Sequence, residues 1–164
     1  MSDDCRIRPV ALADIPELHA IRKAAFAPVF ASFRKLAGER IASVAFAEAE
    51  AEQANLLDRY CAPGSDREVY VIERHGEVCG FCALALDPNT LVGEIDLNAV
   101  NPNCQGEGLG EKLYAFALQR MKEAGMKVAT VGTGGDEAHA PARRAYEKAG
   151  FTAAIPSLYL YKAI

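Results

Sequence analysis

Tryptophan is absent from this chain and methionine occurs only three times. No apolar run approaches the roughly 20 residues of a membrane-crossing helix. The start, M-S-D-D-C-R, is acidic where a signal peptide would be basic, so a cytoplasmic protein is expected. Positive charge is also short. Eighteen Lys and Arg stand against 22 Asp and Glu, a net charge of −4, and a nucleic-acid footprint needs a basic face. An acidic balance is compatible with a cationic ligand. The five cysteines are an odd number and do not make a disulfide framework. Cys79 and Cys82 form a C-x-x-C pair inside the apolar run E-V-C-G-F-C-A-L-A-L, where residues three apart point to opposite faces of a strand. A redox pair needs a helix start and zinc needs two further ligands nearby, so both are read as small buried hydrophobes and no metal site is expected. Cys104 is expected to be the more exposed thiol.

What is present is ordinary for one globular domain, expected to span residues 1–164, with 51% hydrophobic and 24% charged residues and no internal repeat. The chain is organised around residues 94–123. Glu94, Asp96 and Asn98 alternate with Ile95, Leu97 and Ala99, followed by Val100, in a strand pattern with the polar residues expected on one side. Pro102 stops the strand. Gly106, Gly108 and Gly110 then make a loop whose backbone can approach a ligand closely. Gly110, Leu113, Tyr114, Ala117 and Met121 follow at helical spacing, and Gly125 ends the helix. A strand, a glycine loop and a helix start form an anion site, because the first helical N–H groups are unpaired and the helix dipole adds to them. The letters do not fit a dinucleotide fingerprint, because the sixth position from Gly106 is Glu111. They do not fit a P-loop, because Lys112 is followed by Leu113.

The run Gln105, Gly106, Glu107, Gly108, Leu109, Gly110 resembles the coenzyme A loop of the GCN5-related N-acetyltransferases, the GNAT family, whose pattern is Gln/Arg-x-x-Gly-x-Gly/Ala. Downstream, Ala142, Tyr146, Glu147, Lys148, Gly150 and Phe151 look like the family's A-x-x-x-Y-E-K-x-G-F segment. The resemblance implies an α+β fold with a mixed, mostly antiparallel sheet of six or seven strands flanked by about four helices. It implies acetyl-coenzyme A as acetyl donor, its pyrophosphate held by the amides of residues 105–110. It also implies direct transfer to a primary amine of a small molecule or a protein. A catalytically idle acyl-coenzyme A sensor on the same fold is the alternative, expected to bind the cofactor without releasing thiol.

Along the rest of the chain, 6–10 reads as a strand, and Asp14 and Glu17 as a capping box opening a helix with Ile15, Leu18, Ile21 and Ala25 on one stripe. A second helical region runs from about 33 to 60 with a break at Gly38. The joint between them, 26–33, reads as an aromatic loop. In the resembled family this joint borders the acceptor, so Phe26, Phe30 and Phe33 are candidates for lining it. Strands follow at 67–73 and 77–86 about a His75-Gly76 turn, then at 126–131, with a helix over 140–149 and a last strand over 158–162, whose exposed edge would suit a homodimer.

The chemistry asks for a polarised thioester carbonyl, a deprotonated amine and a protonated leaving thiolate. The resemblance places the carbonyl's N–H donor where the fourth strand bulges, near Ala99 and Val100; one such donor is worth ~3 kcal/mol. Glu94 is the candidate base, with Asp96 on the same face. A carboxylate near pKa ~4 needs burial or a water relay to act on an amine near ~10. Tyr146 is the candidate acid for the thiolate. Where the family often has Asn, this chain has His139, a cofactor-arm contact that can also shuttle protons. Lys112 and Arg143 are candidates for the coenzyme phosphates.

Overall fold

The computed structural model describes residues 5–164, and the acidic start lies outside the described residues. Five strands, β1 (Cys5–Pro9), β2 (Arg67–Arg74), β3 (Glu77–Asp87), β4 (Val92–Val100) and β5 (Val128–Val131), lie in that order in one sheet. The first four pair antiparallel with their neighbours, and β5 joins β4 in parallel. The sheet is mixed and mostly antiparallel, with five strands where six or seven were expected. His75 and Gly76, at φ of 53° and 82°, close the β2–β3 hairpin in the left-handed region that such tight turns require.

Helices cover both faces. Leu18 and Ile21 of α1 (Ile15–Ala37) and Leu57 of α3 (Ala49–Cys61) pack on Val69, Val71, Phe81, Leu97 and Ala99. On the other face Leu109, Leu113, Tyr114, Ala117 and Met121 of α4 (Leu109–Glu123) and Tyr146 of α5 (Ala140–Lys148) pack on Ile72, Cys82, Leu84 and Ile95. Central β3 is therefore buried without a break over residues 79–84, as a strand covered on both sides must be. Each of these large apolar side chains contributes ~1.5–3 kcal/mol by leaving water.

Four local expectations are corrected. The aromatic joint is not a loop, because α1 runs through it with Pro28 inside the helix; burial of Val29 and Phe30 offsets the lost hydrogen bond. Gly38, at φ 79°, is the break, and short α2 (Glu39–Ala45) follows it. Asp14 does not cap α1 with its side chain. Its carboxylate turns back to the Ala11 N–H at 2.7 Å and to Arg8 at 2.7 and 2.9 Å. Cys79 and Cys82 share one face, because β3 shifts register against β2 at Cys79, so both thiols enter the same cluster with half-buried Cys104. Residues 151–164 form no strand. Tyr161 packs edge-on against Phe46 at 5.5 Å and Arg40 donates to the Ile164 carbonyl at 3.2 Å, which carries this segment toward α2 and away from β5.

Candidate active site

β4 and β5 pair only from Val92–Val128 to Ile95–Val131. Beyond that point β4 continues to Val100, while β5 ends at Val131 and the chain leaves the sheet at Gly132, so a gap opens along residues 96–100. Within this reach β4 shifts register against β3: Leu84 faces Ile95 and Cys82 faces Asn98. The extra residue falls at Asp96 and Leu97, ahead of the expected Ala99 and Val100. A bulge reverses the alternation after it. Asp96 and Leu97 therefore both face α1 and α3, and Asn98 turns to the α4–α5 side, not to the side of Glu94 and Asp96 as the letters suggested.

That reversal builds a polar cluster under the gap. Asn98 Oδ1 accepts from the Tyr114 hydroxyl at 2.9 Å, and Asn98 Nδ2 donates to Tyr146 Oη at 3.2 Å. The two rings lie 4.9 Å apart. Burial raises the pKa of Tyr146, with the Asn98 and Tyr114 contacts acting in the other direction, so the phenol keeps its proton at neutral pH. A backbone donor sits alongside. Asn101 N–H bonds the Cys79 carbonyl of β3 at 2.8 Å. By strand alternation Ala99 also turns its N–H to β3, while Asn98 and Val100 present theirs to the gap.

At the end of β4 the glycine loop leads into α4. Gly106 and Gly108 hold φ of 84° and 74°, and Gly108 is the N-cap. The first helical bond runs from Lys112 N–H to the Gly108 carbonyl at 3.1 Å, so the N–H groups of Leu109, Gly110 and Glu111 precede the intrahelical ladder. The Leu109 side chain is buried, which leaves only its backbone for a ligand. Glu107 pairs with Arg74, and Gln105 N–H reaches the Pro102 carbonyl at 3.4 Å. Above Gly106 and Gly108 a side chain would meet open space, the condition for a ligand to come down on the main chain.

The remaining candidates separate. Glu94 is exposed. Asp96 is engaged: its Oδ2 accepts from Tyr60 Oη at 2.6 Å and from Arg67 Nε at 3.1 Å, and Tyr60, desolvated and bonded to this carboxylate, is pushed up to about 12. Phe30 is enclosed beside Phe26, at 6.5 Å between rings. Phe33 stacks on His139 at 5.8 Å. Arg143 is not turned to a phosphate, because its Nη1 donates to the Gly134 and Asp136 carbonyls at 2.6 Å each. Asn98, Tyr114 and Asp136 were not singled out in the sequence for a role in the site. Asp136, three residues before His139, was the one with a visible signal.

Residues 33–151 match the model of the acetyltransferase (GNAT) family. The chain belongs to the GNAT family. Curated relatives include mycothiol acetyltransferases of Sanguibacter keddieii, 37% identical over 108 residues, and of Streptomyces bingchenggensis, 33% identical over 99. These matches cover 62% and 60% of this chain but only 34% and 32% of those proteins, so the chain spans about a third of their length. Among solved structures, a GNAT-family protein from Desulfovibrio desulfuricans superposes with TM-score 0.71 at 21% identity, over 92% of this chain and 87% of that one. The Escherichia coli ribosomal-protein-S18-alanine N-acetyltransferase gives 0.65 at 18%, over 92% and 79%. An aminoglycoside N-acetyltransferase, AAC(6')-Iy, in complex with coenzyme A gives 0.66 at 12%, over 98% and 95%. These likenesses establish the GNAT fold for this sheet.

Proposed function

We propose that this protein, a single domain over residues 1–164, transfers an acetyl group from acetyl-coenzyme A to a primary amine by direct attack in a ternary complex. One observation carries the reading: the gap between β4 and β5 lies between a helix start with unpaired N–H groups and a buried, protonated Tyr146. In this reading the amides of residues 105–110 hold the cofactor pyrophosphate. The N–H groups of Asn98 and Val100 polarise the thioester carbonyl, and pre-set donors of this kind lower the barrier because they need no reorganisation. When bound, acetyl-coenzyme A supplies the activated acetyl group. Tyr146 donates its proton to the departing sulfur, and Asn98 keeps the phenol aimed. Glu94 is exposed on the same side of β4 as Asp96, whereas Asp96 is held by Arg67 and Tyr60.

The name of the curated relatives, mycothiol acetyltransferase, supports a small-molecule acceptor. No helix among the described residues is long and apolar enough to cross a membrane; a cytoplasmic location is part of the proposal. The test is thermal. A ligand at 100 times its Kd stabilises the native state by ~2.7 kcal/mol. Acetyl-coenzyme A is expected to raise the melting temperature where NAD and ATP do not, and a panel of primary amines is expected to release free thiol. Cofactor binding without thiol release from any amine would favour the sensor reading instead.

A further inference from the structure

The loop from β5 to α5 carries a second polar cluster. Asp136 Oδ1 is bonded to His139 Nδ1, and Asp136 Oδ2 accepts from Ser32 Oγ of α1 at 2.5 Å. These side chains are 10% and 16% exposed, Asp136 being the more buried. Burial alone would raise the Asp136 pKa, yet the Ser32 and His139 bonds outweigh it and hold the group low, as a carboxylate. Three further features fix the pair. Arg143 clamps the loop carbonyls on either side, Phe33 stacks on the imidazole, and Gly134 leaves the room, since a Cβ there would collide with the His139 ring and lie 2.7 Å from Asp136 Oδ1. With Nδ1 bonded to a carboxylate, the imidazole presents Nε2 as the basic nitrogen. No bond from Nε2 to a described residue is present.

Resting on the acetyltransferase reading above, the geometry points to His139, positioned by Asp136, as the group that takes the proton from the attacking amine. His139 is the N-cap of α5 and precedes Tyr146 by seven residues, which sets their backbones about 10 Å apart along the helix axis. A base, an amine nitrogen, the carbonyl carbon, the sulfur and an acid in a row span a comparable distance, roughly 9 Å, from two hydrogen bonds and the reacting atoms between them. The loop carrying His139 also departs from β5 where the gap opens, and Phe33 brings α1 to the same place. In the step, Nε2 takes one proton from the ammonium, the N–C bond forms, the C–S bond breaks, the thiolate takes the Tyr146 proton, and the second nitrogen proton passes to the tyrosinate, while His139 returns its proton to solvent. The net change is acetyl-coenzyme A and an ammonium to the N-acetyl amine, coenzyme A thiol and one released proton.

The probes are the primary amines that give thiol release in the panel, each beside a fluorinated, less basic analogue that is already neutral at pH 7. His139→Ala is expected to lower kcat about 100-fold or more with the basic amine, to leave the KM for acetyl-coenzyme A within about twofold, and to cost much less with the fluorinated amine. His139→Asn is expected to do no better, added imidazole to restore part of the His139→Ala rate, and Asp136→Asn and Gly134→Ala to lower kcat in the same direction. An unchanged melting shift with acetyl-coenzyme A shows each variant to be folded. Full activity in His139→Asn, or equal losses with both amines together with a raised KM for acetyl-coenzyme A, would overturn the inference and make His139 a cofactor contact, with wild-type turnover still supporting the acetyltransferase reading. Absence of acetyl-coenzyme A binding and thiol release in the wild type would overturn the parent reading, and this one with it.

Discussion

Tyr146 and Asn98 show how one side chain becomes chemistry through another. The phenol is buried, its proton is kept by desolvation, and the Asn98 amide and the Tyr114 hydroxyl are its polar neighbours. Tyr146→Phe is expected to lower turnover about 100-fold while leaving acetyl-coenzyme A affinity within about twofold, measured by thiol release beside the thermal-shift titration. Asn98→Ala strands two buried hydroxyls, those of Tyr114 and Tyr146, at ~1–3 kcal/mol each. Urea denaturation should show a lower midpoint with an unchanged slope. The role proposed for Tyr146 comes from the Y-E-K-x-G-F context. That of Asn98 was not, since strict alternation along β4 assigns it to the wrong face and only the bulge corrects it.

At the scale of elements, the glycine loop, the gap and α4 form one device. Gly108 sits at φ 74° as the N-cap of α4, with nothing within 4 Å of where a side chain would go. Gly108→Val therefore meets no clash but forces a β-branched residue into the left-handed region, at ~1–3 kcal/mol. The expected result is a folded protein with a lower melting temperature and no stabilisation by acetyl-coenzyme A. The loop and both helices beside it were legible because glycine spacing and helical stripes are local signals. The continuation of α1 through Pro28 was not, because proline argues for a break and only the packing of Val29 and Phe30 decides otherwise.

Across the whole molecule, two features govern stability and association. Arg8 holds Asp14 below the ordinary carboxylate range, with the Ala11 N–H helping and burial opposing. A lowered folded-state pKa means stability present in full above about pH 4 and lost as pH falls through the folded value. Asp14→Asn should flatten the acid limb of a melting-temperature profile over that window. The second feature is the segment 155–164, where Ile155, Leu158, Tyr159 and Leu160 are each at least 85% exposed. Beside the outer edge of β5, Leu118, Ala129, Ala149 and Phe151 line an open apolar hollow of about 320 Å³. Such surface favours a partner, although the strand edge from which a homodimer was expected does not form. Sedimentation at rising concentration is expected to show self-association, and Leu158→Asp with Leu160→Asp to reduce it.

By itself the sequence determined the family and most of the order of strands and helices, and it singled out the glycine loop and Tyr146, because each is written in neighbouring letters that obey short-range sterics and hydrogen-bonding rules. Only the tertiary structure decided which side of β4 carries Asn98, that Asp96 is tied to Tyr60 and Arg67, that His139 is joined to Asp136 and Ser32, and that the final segment lies off the sheet. The reason is physical: a one-residue shift in register reverses every side chain after it. Contacts between residues as far apart as Ser32 and Asp136 exist only once two helical faces have closed on the same sheet.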